Sequence, residues 1–373
     1  FIYIAVISSF LAACDSADAP DQELQMIGSD EISGINFDDM NTSVHPGDDF
    51  NLYVNGGWLD RTEIPGDKRR YGSFDKLRDA ADRDVRAIIE ETSASAAMKG
   101  TNEQKVGDLY KSYMDMETRN AKGVKPLEQR LAMIDGISDL KGMSEYFADA
   151  GKYGLNAPIA LFIGVDAKIP TEYALHTYQY GLGLPDREYY FTEDERSVEI
   201  RTKYVEHIGK MMALAGIEFN ESDAETVMDL ETKIAGHHWK KEENRDGNKR
   251  YNKYTNAEFK TLMSNMDIDA YLEVTETADI AEIIVSQPSY LEGLNGLLTS
   301  VDMASWKSYL KWSYVNDMAS RLNEEMDNQN FDFYSKTLSG VEQQRPMWQR
   351  ATSTVSGNLG EVVGEVYVSK HFK

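Results

Sequence analysis

Apolar residues recur at steps of three and four along most of this chain, with polar residues between them. Such spacing places the apolar side chains on one face of an α-helix. Three long segments show it most clearly, at Ile200, Tyr204, Ile208, Met211, Met212 and Ala215; at Trp306, Leu310, Tyr314, Met318 and Leu322; and at Val355, Leu359, Val362, Val363, Val366 and Tyr367. The pattern therefore predicts a chiefly helical body whose core is built from these faces.

Hydroxyl residues followed three positions later by an acid or an amide mark four predicted helix starts. In this capping box the hydroxyl accepts from the third backbone N–H, while the later side chain reaches back to the backbone N–H of the hydroxyl residue. The four pairs are Thr101–Gln104, Thr192–Glu195, Ser222–Glu225 and Thr255–Glu258. In the last helical segment Gly360 and Gly364 share one face, so we expect a neighbouring helix to pack closely there.

One stretch departs from the helical spacing. Alternate positions are occupied by Ile159, Leu161, Ile163 and Val165, and then by Tyr173, Leu175 and Thr177. Alternation with period two is typical of a half-buried strand, and residues 168–172 between the runs can form a turn. The predicted fold class is therefore mainly α-helical with a small β-hairpin.

The first residues resemble an export signal. Residues 1–13 are uncharged and largely apolar, and they are too few to span a bilayer as a helix. Leu11-Ala12-Ala13-Cys14 resembles the lipobox of bacterial lipoproteins, in which the cysteine sulfur carries a diacylglycerol. We predict that residues 1–14 are the remnant of a lipoprotein signal peptide with Cys14 as the lipid attachment site. The alternative is an ordinary buried cysteine in an N-terminal helix.

This signal predicts a location in the bacterial cell envelope, with the protein anchored by lipid to the inner or outer membrane and facing the periplasm. Residues 15–43 are polar and acidic, with few large apolar side chains. Such a composition is typical of a flexible tether. The folded body is then expected to occupy residues 44–373.

The charge balance restricts the partners. The chain has 63 acidic and 39 basic residues, a formal net charge of −24. A field of this sign repels phosphate backbones, so nucleic acid is not an expected partner. The single cysteine excludes a disulfide framework within these 373 residues and a zinc site built on cysteines.

No complete catalytic motif stands in the sequence. The six histidines form no His-Glu-x-x-His, and the adjacent His237 and His238 would point about 100° apart on a helix. There is also no Gly-x-Ser-x-Gly elbow and no phosphate-binding loop. Reasoning from the residues alone therefore ends at an acidic, helical, exported lipoprotein without visible chemistry.

Five short motifs stand in a fixed order over residues 44–373. They are His45-Pro-Gly-Asp-Asp-Phe50 leading into Tyr53-Val-Asn-Gly-Gly-Trp-Leu59, Arg70-Tyr-Gly-Ser-Phe-Asp75, Gly181-Leu-Gly-Leu-Pro-Asp-Arg-Glu-Tyr-Tyr190, Gln287-Pro-Ser-Tyr-Leu291, and Glu342-Gln-Gln-Arg-Pro-Met-Trp348. Together they resemble the neprilysin family of zinc metallopeptidases, and most closely its bacterial oligopeptidase O type. The cysteines of the animal members are missing. The resemblance implies a two-lobed, mainly helical endopeptidase.

In that family the zinc (Zn) ligands and the catalytic glutamate lie in a C-terminal catalytic domain. The resemblance implies that this domain follows Lys373, so we expect no catalytic residue, no bound metal and no autonomous activity in the present chain. It also implies that residues 110–340 are most of a cap lobe that admits only oligopeptides. The segment 45–105 and the final helix would pack on the catalytic lobe.

The same resemblance assigns two substrate-binding residues. In the family's Arg-Tyr-Gly-x-Phe-Asp motif the arginine binds the C-terminal carboxylate of short substrates and the aspartate shapes the neighbouring subsite. These positions are Arg70 and Asp75 here. The alternative is that Arg70, which follows Lys68 and Arg69, is an ordinary surface cation. Asp186, Arg187 and Tyr190 are interpreted as structural, with a buried arginine held by the aspartate and by tyrosine hydroxyls.

The sequence therefore predicts the cap and substrate-binding portion of a lipid-anchored zinc metalloendopeptidase that acts on oligopeptides. Its partners would be oligopeptide substrates, the C-terminal catalytic domain of the same protein, and the membrane through the lipid. The alternative is a non-catalytic helical envelope lipoprotein that binds peptides or protein partners.

Overall fold

Helices form most of the molecule, as the apolar spacing predicts. The computed structural model describes residues 35–372. The chain divides into two units, at residues 1–63 and 64–373, and each is described by itself. Cys14, the predicted signal and most of the predicted tether lie outside the described residues.

The first unit contains a short 3₁₀ turn at Phe37–Asp39 and helix α1 at Phe50–Arg61. Asp49 caps α1, because its carboxylate accepts a 2.8 Å hydrogen bond from the backbone N–H of Leu52. Arg61 binds Asp39 and the carbonyl of Asp38, so the end of the helix is tied to the turn. A Cβ at Gly57 would lie 2.6 Å from that carbonyl, which explains the glycine.

The second unit holds the other helices. These are α2 Ser73–Ala94, α3 Asn102–Met114, α4 Met116–Lys122, α5 Glu128–Gly136, α6 Leu140–Lys152, α7 Glu188–Phe191, α8 Glu195–Leu214, α9 Glu221–His237, α10 Lys241–Asn244, α11 Asn256–Leu262, α12 Ile268–Val274, α13 Pro288–Ser300, α14 Met303–Met318, α15 Glu324–Phe331 and α16 Met347–His371. Short 3₁₀ turns at Lys125–Leu127 and Ala319–Arg321 and a π-helical turn at Asp332–Thr337 connect some of them. Among residues 35–372, no helix combines the length and the apolar character that crossing a bilayer requires.

The predicted helix starts are partly correct. Thr255 forms the complete capping box with Glu258, and Thr101 caps α3 by accepting from the N–H of Gln104. The other two predictions were wrong. Asp194 caps α8 in place of Thr192, and Asn220 with Asp223 caps α9 in place of Ser222. Asp and Asn are at least as good N-caps as the hydroxyl residues, so Asp194 and Asn220 cap these helices rather than the nearby Thr192 and Ser222.

The larger of two cores lies between the helices of residues 124–338. The predicted face of α8 is buried here, since Ile200, Tyr204, Ile208, Met211 and Met212 are at most 3% exposed. Trp306, Leu310 and Tyr314 of α14 enter the same core. Aromatic rings dominate its centre, where each buries a large apolar area.

The smaller core joins α2, α3 and α16. Its buried members include Ile88, Val106, Tyr110, Val355 and Val363. The close helix contact expected at Gly360 and Gly364 is not made within residues 35–372, where a Cβ at either position would meet nothing within 4 Å. Instead α16 bends at Leu359, whose φ of −130° and ψ of 30° are not helical.

The predicted hairpin is confirmed and belongs to a larger sheet. Strands β1 Ile159–Asp166 and β2 Ile169–Gln179 pair antiparallel. Two further strands, β3 Asn252–Thr255 and β4 Glu282–Val285, complete the order β1-β2-β4-β3, with β4 parallel to β2. Each of the added strands has only four residues, too few for an alternation to be recognised in the sequence.

Candidate substrate-binding site

Arg70 and Asp75 lie at the start of α2. Arg70 belongs to the non-helical segment directly before the helix, and Asp75 is the third residue of its first turn. Gly72 is the N-cap and supplies no side chain to the free backbone N–H groups. A carboxylate in the first turn interacts favourably with the positive end of the helix dipole, so Asp75 suits this position.

The guanidinium of Arg70 is available to a ligand. Its side chain is exposed and has no hydrogen-bond or ion-pair partner among residues 35–372. The neighbouring Lys68 is engaged, since its Nζ lies 2.5 Å from Asp79 and 5.0 Å from the ring centre of Tyr71. Arg70 offers a planar fork of donors that matches the two oxygens of a carboxylate.

Arg69 is equally available. It is exposed and also has no hydrogen-bond or ion-pair partner within the described part of the chain. The fold thus brings Arg70 and Asp75 to the same helix end, without a direct bond between them, and it does not separate Arg70 from Arg69 by geometry. Only the motif distinguishes the two arginines.

The apolar residues next to this pair were missed as functional candidates. Phe74 is 88% exposed and Leu77 is 66% exposed. With Ala81 they continue the face of α2 that Val85 and Ile88 bury further along the helix, because these five positions follow one another at steps of three and four residues. The sequence does contain this signal, because the apolar stripe of α2 extends beyond the residues that pack into the smaller core. Its exposed half provides an apolar surface beside Arg70.

No metal centre is formed by the part of the chain that the structure describes. Within residues 35–372, no three histidine, cysteine, aspartate or glutamate side chains gather closely enough to hold a metal ion. His237 ends α9, and His238 directs its Nε2 at the carbonyl of Tyr180, 3.1 Å away. Burial lowers the pKa of His238 to about 4. The described residues therefore do not fit a zinc site.

The motif Gly181–Tyr190 folds around a buried carboxyl that the sequence did not reveal. Glu231 of α9 is fully buried, and its carboxyl accepts from the hydroxyls of Tyr190 at 2.6 Å and Tyr204 at 2.9 Å. The backbone N–H of Gly183 donates to it at 3.3 Å. Burial raises the pKa of Glu231 to about 7, against the opposing effect of these donors.

The expected arrangement of Arg187 was wrong. Its guanidinium donates to the carbonyl of Ala235 and to Glu188, whereas Asp186 pairs with Lys241. The hydroxyl of Tyr190, which was expected to bind an arginine, donates a hydrogen bond to Glu231 instead. The motif thus encloses a buried carboxyl, that of Glu231, rather than a buried guanidinium.

A family profile and several known proteins match most of this chain. The N-terminal profile of peptidase family M13 matches residues 46–373. Neprilysin of Mus musculus is 28% identical over 368 residues, which cover 89% of this chain and 48% of neprilysin. Endothelin-converting enzyme 1 of Cavia porcellus is 25% identical, with 89% of this chain and 45% of that enzyme covered.

The fold is shared with a solved bacterial enzyme. The zinc metalloprotease Zmp1 of Mycobacterium tuberculosis, solved with an inhibitor, superposes with a TM-score of 0.87 at 33% identity. The match covers 91% of this chain and 52% of Zmp1. The chain thus spans about half the length of the proteins it resembles.

Proposed function

This chain belongs to peptidase family M13, and from that membership we propose that it is the cap and substrate-binding portion of a zinc metalloendopeptidase that hydrolyses oligopeptides. The observation that carries the proposal is the family match over residues 46–373, nearly all of the described chain. The whole protein would carry out peptide hydrolysis, and the present residues would select and orient the peptide.

Arg70 is the proposed grip on the substrate. Its free guanidinium at the start of α2 supports this role, since a peptide's C-terminal carboxylate can accept two parallel N–H bonds from it. Asp75, in the first turn, would limit the subsite on one side. Phe74 and Leu77 would provide apolar contact to the side chain that precedes the carboxylate.

The uncovered half of α2 also supports a further lobe. A helix normally buries its whole apolar stripe, yet Phe74 and Leu77 remain exposed while Ile88 is 3% exposed. We propose that the catalytic lobe of the complete protein packs beside this surface and supplies the zinc site. No catalytic step is assigned to the present residues, because those described do not fit the metal.

Cys14 is the proposed lipid anchor, and the cell envelope the proposed location. The support is the sequence Leu11-Ala12-Ala13-Cys14 after an apolar run. Mass spectrometry of the mature protein should find a diacylglycerol-modified Cys14 at the N-terminus. A Cys14→Ser variant should leave the membrane fraction, and wild-type protein without the modification would refute the anchor.

The peptidase proposal is tested with the full-length protein. We expect purified protein to cleave short peptides, to lose that activity on treatment with a zinc chelator, and to regain it when zinc is restored. A chain limited to residues 15–373 should cleave nothing. If the full-length protein binds peptides without cleaving them, the alternative of a non-catalytic envelope lipoprotein replaces this proposal.

A further inference from the structure

The outer edge of the sheet carries an inference that is independent of peptide cleavage. Strand β1 is the first strand in the order β1-β2-β4-β3 and pairs with β2 alone. Its other edge meets no strand among the described residues. A free strand edge presents unpaired N–H and C=O groups to any extended chain that approaches it.

The register of the β1–β2 pair shows which residues of β1 have unpaired backbone N–H and C=O groups. In an antiparallel pair, residues that exchange hydrogen bonds with the partner strand alternate with residues that face away. The N–H of Tyr180 donates to the carbonyl of Pro158 at 3.3 Å, so this pair is a hydrogen-bonded one. Counting by twos along β1, Ala160, Phe162 and Gly164 face β2. The backbone groups of Leu161, Ile163 and Val165 therefore point outward.

This edge lacks the usual protection. Free edges are normally blunted by charges, proline or a bulge. Residues 161–165 contain no charge and no proline, and the register shift of the hairpin comes only after Val165. Ile163 is 64% exposed, Val165 51% and Phe162 46%. Such an apolar edge is a template for pairing with another strand.

We propose that the covering strand is β1 of a second copy of this chain, paired antiparallel about a two-fold axis at Ile163. Ile163 then faces Ile163, and Leu161 faces Val165 of the second copy. All of these residues have outward backbone groups, so each facing pair exchanges two hydrogen bonds. The two sheets become one continuous sheet, and the interface is isologous.

The side chains fit the same register. Phe162 of one copy lies opposite Gly164 of the other, so a ring covers the gap left by a glycine on both sides of the axis. In the present structure Phe162 already stacks on His176, with ring centres 5.2 Å apart and planes 11° apart. On the opposite face the row consists of Leu161, Ile163 and Val165 alone, which pack as aliphatic pairs.

The charge of the chain predicts how salt acts on this dimer. Each copy carries a formal charge of −24, so two copies repel at long range. Salt screens that repulsion, whereas the hydrogen bonds and apolar pairs of β1 need no charge. Dimerisation should therefore become stronger as salt concentration rises, the opposite of an interface held by ion pairs.

The test is the mass of the full-length protein in solution by analytical ultracentrifugation. We expect twice the monomer mass for the wild type. Ile163→Pro should halve the mass, because it removes an outward N–H that β2 does not use and leaves the hairpin bonds in place. Ile163→Lys, which sets two like charges against each other on the axis, should halve it as well. Circular dichroism confirms that each variant is folded.

Met98→Lys is the matched control, since Met98 is 77% exposed and lies outside the sheet. It should remain a dimer. Hydrogen exchange should slow at the amides of Leu161, Ile163 and Val165 as protein concentration rises. A monomeric wild type, a dimeric Ile163→Lys variant, or protection of these amides in the monomer would each overturn the proposal.

Discussion

The hydroxyl of Tyr190 donates a 2.6 Å hydrogen bond to the carboxyl of Glu231, a group that water does not reach. Tyr204 and the N–H of Gly183 donate to the same carboxyl, and Trp312 donates to the hydroxyl of Tyr204. The loop at Gly183 and the helices α7 and α8 thus meet at the side chain of Glu231, and Trp312 of α14 is linked to it through Tyr204. Its protonation state connects the stability of this fold to pH.

The stability of the fold should depend on pH through Glu231. Burial raises the pKa of Glu231 from 4.5 to about 7. The folded state therefore binds the proton more tightly than the unfolded chain does. This contribution is complete below about pH 4.5, decreases with rising pH and is lost above about pH 7, a change on the order of 3 kcal/mol.

The measurement is urea unfolding of the wild type and of Glu231→Gln across this pH range. Because glutamine cannot ionise, the difference in unfolding free energy between the two proteins isolates Glu231 from other titrating groups. A difference that stays constant with pH would show that Glu231 does not titrate here. Tyr190→Phe should destabilise the fold, whereas Tyr173→Phe, at a 78% exposed tyrosine, should not.

Gly183→Ala should destabilise the fold, because a Cβ there would lie 1.8 Å from the hydroxyl of Tyr204 and 3.1 Å from Glu231. Overpacking of this kind costs about 1–3 kcal/mol, and the displaced hydroxyl would also lose its bond to Glu231. Thermal unfolding of the two proteins gives the comparison. The double variant Gly183→Ala with Tyr204→Phe should cost less than the sum of the two single changes.

Gly209→Ala is the control for that experiment. Gly209 lies inside α8, and a Cβ there would meet no other described residue within 4 Å. Alanine is the better helix former, so this variant should gain about 0.5–1 kcal/mol. Equal effects of the two glycine substitutions would contradict the contact at Gly183.

Arg70→Ala in the full-length protein should weaken cleavage of peptides that have a free C-terminus. Loss of a charge-assisted pair predicts a decrease in kcat/KM of about tenfold to a hundredfold. Amidated peptides of the same sequence should change little, since they lack the carboxylate. Steady-state kinetics on the two peptide series provide the measurement.

Arg69→Ala is the matched variant, because it removes an equally exposed guanidinium from the preceding position. It should leave the preference for a free C-terminus intact. If Arg69→Ala removes that preference and Arg70→Ala does not, the carboxylate grip belongs to Arg69. Equal loss on free and amidated peptides would remove both arginines from this role.

The ion pair of Asp327 with Arg350 joins α15 to α16, and breaking it should destabilise the fold strongly. Arg350 of α16 lies 2.5 Å from Asp327 of α15, which is 3% exposed, and Gln344 donates to the other carboxylate oxygen at 3.1 Å. Arg350→Met leaves that carboxylate buried without its cation, at a cost of about 3–5 kcal/mol. Urea unfolding measures this loss.

Replacing both partners, as Asp327→Leu with Arg350→Met, should recover much of the stability, because no buried charge is then left alone. Lys203→Met serves as the surface comparison, since its pair with Glu199 on α8 is roughly half exposed, with side-chain exposures of 45% and 46%. It should change little. A cost for Arg350→Met no larger than that for Lys203→Met would contradict the role of the buried pair.

What the sequence determined by itself was local in origin. The burial of Ile200, Tyr204 and Ile208 on one face of α8 was readable because helical geometry fixes which positions align. The β1–β2 hairpin was readable because its alternation is long and its strands are joined by a short turn. The motif Arg70–Asp75 indicated candidate binding residues only through its resemblance to a family.

Tertiary structure decided the features that depend on distant contacts. Glu231 is one of 63 acidic residues, and nothing nearby in the chain marks it as the one that Tyr190 and Tyr204 enclose. Strand β4 exists because β2 and β3 flank it, and the ion pair of Asp327 with Arg350 forms because α15 meets α16. Burial and pairing arise between segments far apart in the chain, so periodicity within one segment cannot reveal them.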